Sequence, residues 1–396
     1  MVMGVEGNGW RGGMKINEIL EMLKEPLWQR RWSPGTLAGT TPPATFVGES
    51  GYPRVSVGSA LPQHERQLSI YEDPRSWLDM TIDEIVALRT YAVLPVKRAK
   101  VAPIGDRDIE LFQQMTMGDS PVDTELKVGK IVRRSPVFNG YYAPVGTSIE
   151  ALKVLYMANP KVPRPIEKVA GDRDMKASDG ALALYNSDIS IYKIQNLLSI
   201  GLIGRKRRLV PTKWGITATD SMIGDALLDL IRDFPRIDRY LVSHGYFLGN
   251  RFVVILTPDN WQFEMLESWL PFFGRQNTDT TIAADHEGYF GRSAYASNIE
   301  GAYYAARLAI LEYLRRIRKQ AGGIVLMEVD RNWTTSLGVW RVREGIRRAL
   351  QQFTTYDELD SAKNAALCLM STKKDNWIRS SLFLTKRQLD ITQFLS

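Results

Sequence analysis

Residues 302–329, AYYAARLAILEYLRRIRKQAGGIVLMEV, hold the clearest helix of the chain, followed by one of its clearest strands. Over residues 302–319, Leu308, Leu311 and Leu314 line one side. Basic residues crowd the last turn, where the helix dipole favours cations. Residues 322–329 are an apolar run of strand length, which indicates a buried strand. The stretch therefore predicts a core built from both helices and strands.

Other segments extend this mixed pattern. Helical spacing recurs in residues 175–186, 189–200 and 339–352, and residues 246–256 favour a buried strand. We also predict an aromatic-rich helix over residues 257–273. Helices and strands do not alternate regularly enough for a doubly wound sheet. We therefore predict an α+β fold of mixed helices and an antiparallel-rich sheet, with a flexible C-terminal peptide.

The composition places the chain among globular proteins. Of its 396 residues, 44% are hydrophobic and 24% are charged. No stretch reaches the roughly 20 apolar residues that span a bilayer, and the N-terminus has no signal-peptide run. The single cysteine, Cys368, allows neither an intramolecular disulfide nor an all-cysteine metal site. We expect a cytoplasmic protein that does not associate with membranes and has no metal site and no cofactor.

Three regions follow from these patterns. Residues 1–40 are predicted to be a helical segment, and residues 41–370 an α+β core. The core is either undivided or divided near residues 160–175. Residues 371–396 are predicted to be a tail.

The net charge of +7 lies wholly in the last quarter of the chain. Residues 301–396 hold 16 Lys and Arg against 9 Asp and Glu, whereas the first 300 residues hold 35 of each class. Such a balance is expected of a face that meets a polyanion such as DNA. Basic helix surfaces that only face solvent would give the same count.

A second basic region, residues 205–208, comes before residues 209–220, LVPTKWGITATD. We predict that residues 209–220 form a strand or hairpin. Two short helices, a basic loop and a hairpin would together resemble a winged helix. Trp214 would then either stack on a base or lie in the core. The predicted nucleic-acid-binding residues of both basic regions are Arg205, Lys206, Arg207, Arg208, Lys213, Arg315, Arg316, Arg318 and Lys319.

The chain ends in KRQLDITQFLS, residues 386–396, which has the spacing of a peptide that docks on a DNA sliding clamp. One 3₁₀ turn would bring Ile391, Phe394 and Leu395 together as a hydrophobic plug, and the Gln388 amide would bind a second pocket. Leu395 stands where a second aromatic residue would bury more area. The alternative is a terminal helix packed on the core.

A polar cluster in residues 285–292 is the best candidate for catalysis. Asp285 and Glu287 are two residues apart, so on a strand they would share a face and on a loop they could hold a Mg²⁺ ion. Arg292 could bind a phosphate. The alternative is a surface loop whose carboxylates pair with neighbouring arginines.

Several blocks resemble the archaeal Nre family of DNA repair proteins, in order, from about residue 35 onward. They are TPPATFVGESGYPRVSVG (41–58), NPKVPRPIEKVAGDRDMKAS (159–178), RRLVPTKWGITATD (207–220), GNRFVVIL (249–256), DHEGYFGR (285–292), GAYYAARLAILEYL (301–314) and GVWRVRE (338–344). The resemblance implies repair of DNA damage together with the clamp PCNA, through Gln388, Ile391, Phe394 and Leu395. Many members begin with a four-cysteine zinc segment, which this chain lacks.

The sequence leaves three functions open. The first is a DNA-binding repair factor that PCNA recruits. The second is a clamp-tethered nuclease or other hydrolase that uses Asp285, Glu287 and Arg292. The third is a folded protein whose terminal match to the clamp peptide is accidental.

Overall fold

The computed structural model describes residues 35–62, 68, 70–129, 136–271 and 282–385. Within them, two mixed sheets and their helices confirm the α+β prediction. The first sheet lies in residues 35–157 and the second in residues 240–356, with a mostly helical segment between them. No helix in these ranges combines the length and apolar character needed to cross a bilayer.

The first sheet is formed by β1 (Gly35–Thr41), β2 (Phe46–Val47), β3 (Arg54–Gly58), β4 (Leu61–Pro62), β5 (Ala92–Lys100), β6 (Val122–Val128) and β7 (Ser148–Met157). Its strand order is β1-β6-β7-β5-β3-β2, and β4 pairs with β5. Only β5 and β7 pair in parallel. Buried and more exposed side chains alternate along β6, as expected of a sheet with one buried face.

The helices before the second sheet are α1 (Ile82–Thr90), α2 (Arg107–Met117), α3 (Arg164–Gly171), α4 (Ala177–Asn186), α5 (Ile191–Ser199) and α6 (Thr212–Ile231). α4 and α5 confirm the predicted helices over residues 175–186 and 189–200. The strand or hairpin predicted for residues 209–220 is wrong, because α6 begins at Thr212. The β-branched residues of its first turns favour a strand locally. Helical spacing of buried residues becomes clear only further on, at Ile223, Leu227 and Ile231. The hairpin that the winged-helix interpretation requires is therefore replaced by a helix.

The second sheet is formed by β8 (Tyr240–Phe247), β9 (Asn250–Thr257), β10 (Gln262–Trp269), β11 (Ile282–Glu287), β12 (Gly322–Val329) and β13 (Thr354–Tyr356). Its order is β11-β10-β12-β9-β8-β13, and only β10 and β12 pair in parallel. The helix predicted over residues 257–273 is wrong, since β10 is an inner strand. Phe263 packs on one side of the sheet and Leu266 on the other, so the segment lacks the alternation that marks a strand with one buried face.

The remaining helices are α7 (Gly301–Ile317), α8 (Trp340–Ala349), α9 (Leu359–Cys368) and α10 (Lys374–Ser380). α7, α8 and β12 confirm their predicted positions. Every residue of β12 is buried because helices cover both faces of the sheet. Val325 and Met327 belong to the same buried cluster as α7, whereas Ile324 and Leu326 pack with α9 and α10.

The core is continuous between the two sheets. One cluster of buried side chains extends from Val47 to Leu350, and α3 lies at the boundary predicted near residues 160–175. Residues 371–385, which the sequence assigns to the tail, pack on the second sheet through Trp377, Phe383 and Leu384. The position of any domain boundary therefore stays a prediction.

Candidate nucleic-acid interface

Asp285 and Glu287 lie on β11, and both are buried. Side chains two apart on a strand point to the same face, so the two carboxylates share a face, as the sequence analysis expected if this segment were a strand. In the structure both carboxylates bind protein groups. Among the described residues, no three His, Cys, Asp or Glu side chains are arranged to hold a metal ion.

Glu287 forms a buried ion pair with α7. Its Oε1 accepts hydrogen bonds from Nε of Arg307 at 2.7 Å and from Nε1 of Trp261 at 2.8 Å. Arg307 also contacts Asp225 of α6 at 3.0 Å. Glu287 therefore connects the edge strand of the second sheet with two helices.

Asp285 fixes the loop that follows β11. Its Oδ2 accepts the backbone N–H groups of Asn298 and Ile299, each at 2.9 Å, and its Oδ1 accepts from Arg292 at 3.2 Å. Arg292 also donates to the carbonyl oxygens of Ala294 and Tyr295 in the same loop and of His286 on β11. Its guanidinium lies 5.0 Å from the ring centre of Tyr303. The arrangement holds the entry to α7 in place. A catalytic role for Asp285, Glu287 and Arg292 stays a prediction.

The basic run before α6 serves two purposes. Arg205, Lys206 and Arg208 are exposed. The Nη2 atom of Arg207 instead donates to three carbonyl oxygens at the C-terminal end of α3, the shortest at 2.6 Å to Asp172. Burial and the nearby Arg173 lower the pKa of Arg207. Arg207 is therefore a helix cap, and its three neighbours are the accessible cations.

Lys213 and Trp214 follow on the first turn of α6. The ammonium group of Lys213 lies 3.7 Å from the ring centre of Tyr141 and 3.8 Å from a carboxylate oxygen of Glu49. Trp214 is 45% exposed, and its ring centre lies 5.4 Å from that of Tyr52, which is 49% exposed. The structure thus places Trp214 at the surface beside a cation and not in the core; stacking on a base stays a prediction.

Tyr141, Lys213 and Trp214 border a surface groove of about 530 Å³, which we call the aromatic groove. Tyr295 and Tyr304 form its far side, with ring centres 5.6 Å apart and planes inclined by 23°. The Tyr141 hydroxyl donates to Glu300, the residue before α7. Burial, with a smaller contribution from Glu300, raises the pKa of Tyr295 to about 12. The residues that line the groove are Tyr141, Lys213, Trp214, Thr217, Ala218, Ser221, Tyr295, Glu300 and Tyr304.

The sequence prediction missed most of this groove. Tyr141 and Tyr295 come from loops that are distant in sequence from each other and from Trp214 on α6, and only packing brings them together. The available signal was the occurrence of Tyr in turn-forming stretches rich in Gly and Asn, such as residues 139–146.

The cations at the end of α7 lie elsewhere. Arg315 donates to Asn186 at 3.1 Å, while Arg318 lies 5.6 Å from the ring centre of Phe234. Arg316 and Arg318 are exposed, and Lys319 is partly exposed. Since a helix rises about 1.5 Å per residue, roughly 27 Å separate Arg318 from Glu300 at the groove. The predicted nucleic-acid-binding residues therefore do not form one site.

The predicted clamp peptide, with Gln388, Ile391, Phe394 and Leu395, lies outside the described residues. The segment before it is held by Glu264, a buried carboxylate of β10. Glu264 accepts the backbone N–H groups of Leu382 at 2.7 Å and Phe383 at 3.3 Å, and the hydroxyl of Ser381. Phe383 and Leu384 are buried in the cluster in which the second sheet packs against α9 and α10. The chain is thus fixed to the core until shortly before Gln388.

Comparisons with known proteins cover nearly the whole chain. The family described as "Archaeal Nre, N-terminal" matches residues 14–273, and "Archaeal Nre, C-terminal" matches residues 287–394. DNA repair protein NreB of Archaeoglobus fulgidus is 34% identical over 91% of this chain and 92% of its own length. DNA repair protein NreA of the same organism is 37% identical over 82% and 83%. NreA of Haloferax volcanii is 32% identical over 80% and 78%. No solved structure matches the chain significantly.

Proposed function

The chain belongs to the archaeal Nre family of DNA repair proteins, and from this premise we propose that it is a DNA-binding repair factor recruited by the sliding clamp PCNA. The DNA repair role follows from the family and its named relatives. We further propose that the aromatic groove binds unpaired bases and that the C-terminal peptide binds PCNA.

The observation that supports DNA binding is the exposed pair of Tyr52 and Trp214 beside Lys213. Bases that are not paired in a duplex stack on exposed aromatic rings, while an adjacent cation attracts the phosphate backbone. Glu49 and Glu300 add negative charge near the groove. The groove therefore suits a base and one phosphate better than a long run of backbone.

DNA binding is tested with Trp214→Ala and a single-stranded oligonucleotide. Removing one stacked base contact should weaken binding by about 1–3 kcal/mol. The matched control is Trp269→Ala, which removes another exposed tryptophan that does not line the groove. Lys213→Gln should reduce the slope of log affinity against log salt by about 0.7, the value for one phosphate of a single strand. Unchanged affinity of Trp214→Ala would contradict the groove as a binding site.

The position of the peptide supports clamp recruitment. Leu384 is anchored in the core, and Gln388 follows four residues later. A plug that begins so close to the anchor would hold the folded protein near the clamp and the DNA that the clamp encircles. Lys386 and Arg387, between anchor and plug, suit an acidic clamp surface or DNA phosphates.

Clamp binding is tested with Phe394→Ala. The variant should lose most of its affinity for PCNA because the aromatic residue supplies much of the buried area of such a plug. Leu389→Ala is the matched control, since it removes an apolar side chain of the same peptide at a position outside the motif. Both variants should melt like wild type, because the anchor residues are unchanged. Equal affinity of Phe394→Ala and wild type would exclude this docking mode.

A further inference from the structure

Glu300, the residue before α7, has a backbone conformation that is rare for residues with a side chain. Its φ and ψ angles are 59° and −134°, and strained positions of this kind cost on the order of 1–3 kcal/mol and cluster at functional sites. The backbone N–H of Glu300 donates to the carbonyl of Ala296 at 2.8 Å, and the carbonyl of Glu300 accepts from the N–H of Tyr303 at 3.1 Å. These hydrogen bonds hold the backbone in place, and Glu300 lines the aromatic groove. The strained position therefore lies at the proposed binding site.

The carboxylate of Glu300 is positioned by Tyr141, which leaves most of its acceptor capacity unused. Oε2 accepts a hydrogen bond from the hydroxyl of Tyr141, whereas no described residue donates to Oε1. Glu300 is partly exposed. Since a carboxylate offers about four acceptor positions, a ligand in the groove can donate to both oxygens.

The phenol ring of Tyr141 also contacts a cation. The ammonium group of Lys213 lies 3.7 Å from the centre of this ring, so Tyr141 connects the cation with the Glu300 carboxylate. Trp214 and Tyr295, which also line the groove, are 45% and 49% exposed. The groove therefore combines a cation for a phosphate, rings on which a base can stack, and an acceptor for the edge of that base.

We infer that Glu300 makes the aromatic groove selective for an unpaired guanine. Unpaired bases are recognised by hydrogen bonds to their Watson–Crick edges. Guanine has two adjacent donors there, N1–H and the N2 amino group, which can form two parallel hydrogen bonds with one carboxylate. Adenine and cytosine have one amino group beside an acceptor nitrogen, and the N3–H of thymine lies between two carbonyl oxygens that a carboxylate repels. The inference rests on the proposed function, because the groove must first bind single-stranded DNA.

The test measures affinity for three short thymine oligonucleotides whose central base is guanine, hypoxanthine or thymine. Wild type should bind the guanine oligonucleotide about tenfold or more tightly than the thymine one, as expected of hydrogen bonds to a charged group. Hypoxanthine is a purine that keeps N1–H but lacks the amino group, so its affinity should lie between the other two. Equal affinity for guanine and for either other base would overturn the inference, and the groove would still stand if Trp214→Ala weakened binding of all three. Failure of wild type to bind any of them would contradict the proposed function itself.

Three variants assign the preference to the Glu300 carboxylate. Glu300→Gln should remove the preference for guanine, because the amide N–H₂ group faces the donors of the base with donors of its own. Tyr141→Phe should reduce the preference, since it removes the hydroxyl that positions Oε2 and keeps the ring beside Lys213. The matched control is Glu49→Gln, which removes a carboxylate 3.8 Å from Lys213 that does not line the groove. It should change the affinity for all three oligonucleotides alike and keep the preference. Thermal melting confirms that each variant folds, and a folded Glu300→Gln protein that still prefers guanine would overturn the inference.

Discussion

Replacing Glu287 by Gln should lower the free energy of unfolding by about 3 kcal/mol. The buried carboxylate accepts hydrogen bonds from Arg307 at 2.7 Å and Trp261 at 2.8 Å. Removing one charge of a buried pair destabilises by about 3–5 kcal/mol, because the other charge stays out of water. The glutamine oxygen can still accept from Trp261, and Arg307 keeps its 3.0 Å contact with Asp225. The lower end of the range is therefore expected.

Urea denaturation followed by circular dichroism measures this loss, with an m-value equal to that of wild type. Asp225→Asn is the matched control, since it removes the other carboxylate that contacts Arg307. The side chain of Asp225 is 63% exposed, so its loss should change stability by less than about 1 kcal/mol. The two variants differ mainly in the burial of the charge that is removed.

The same variant separates a structural role of Glu287 from a catalytic one. A Glu287→Gln protein within about 0.5 kcal/mol of wild type would refute the buried-pair reasoning, since changes of that size are typical of surface substitutions. If Glu287 served catalysis alone, the variant would stay as stable as wild type and lose any DNA-processing activity. The structure favours a structural role, with a clear loss of stability, because both Arg307 and Trp261 bind this carboxylate.

Two further substitutions test local features of the fold. Burial lowers the pKa of Lys193 to about 7. Folding therefore releases its proton above that pH, and stability should rise by about 1.4 kcal/mol per pH unit towards pH 10. Urea titrations should show that Lys193→Met removes this slope, whereas Lys97→Met retains it because the pKa of Lys97 is raised. Gly249→Ala should lower the free energy of unfolding by at least about 1–2 kcal/mol, because the φ angle of Gly249 is +73° and a Cβ there would lie 2.4 Å from the Trp333 backbone nitrogen. Gly105→Ala is the control, since a Cβ at Gly105 would meet open space. This control should unfold at the same urea concentration as wild type.

The sequence alone was enough to predict those helices and strands whose apolar residues recur with the period of a helix or form a run of strand length. Leu308, Leu311 and Leu314 indicated α7, and the apolar run of residues 322–329 indicated β12, since both signals are local. For Asp285 and Glu287 the sequence left strand and loop open, and the structure shows the strand that puts both on one face. The family could also be read from short blocks in their order along the chain.

Only the tertiary structure decided which elements become neighbours. Residues 262–269 form a strand because β11 and β12 pair on either side, and no local pattern carries that information. The partners of Glu287, at Arg307 and Trp261, and the meeting of Tyr52 with Trp214 likewise depend on contacts distant in sequence. Apolar periodicity determines which face of each segment is buried. The complementary shapes and charges of the assembled core determine which of these faces pack against each other.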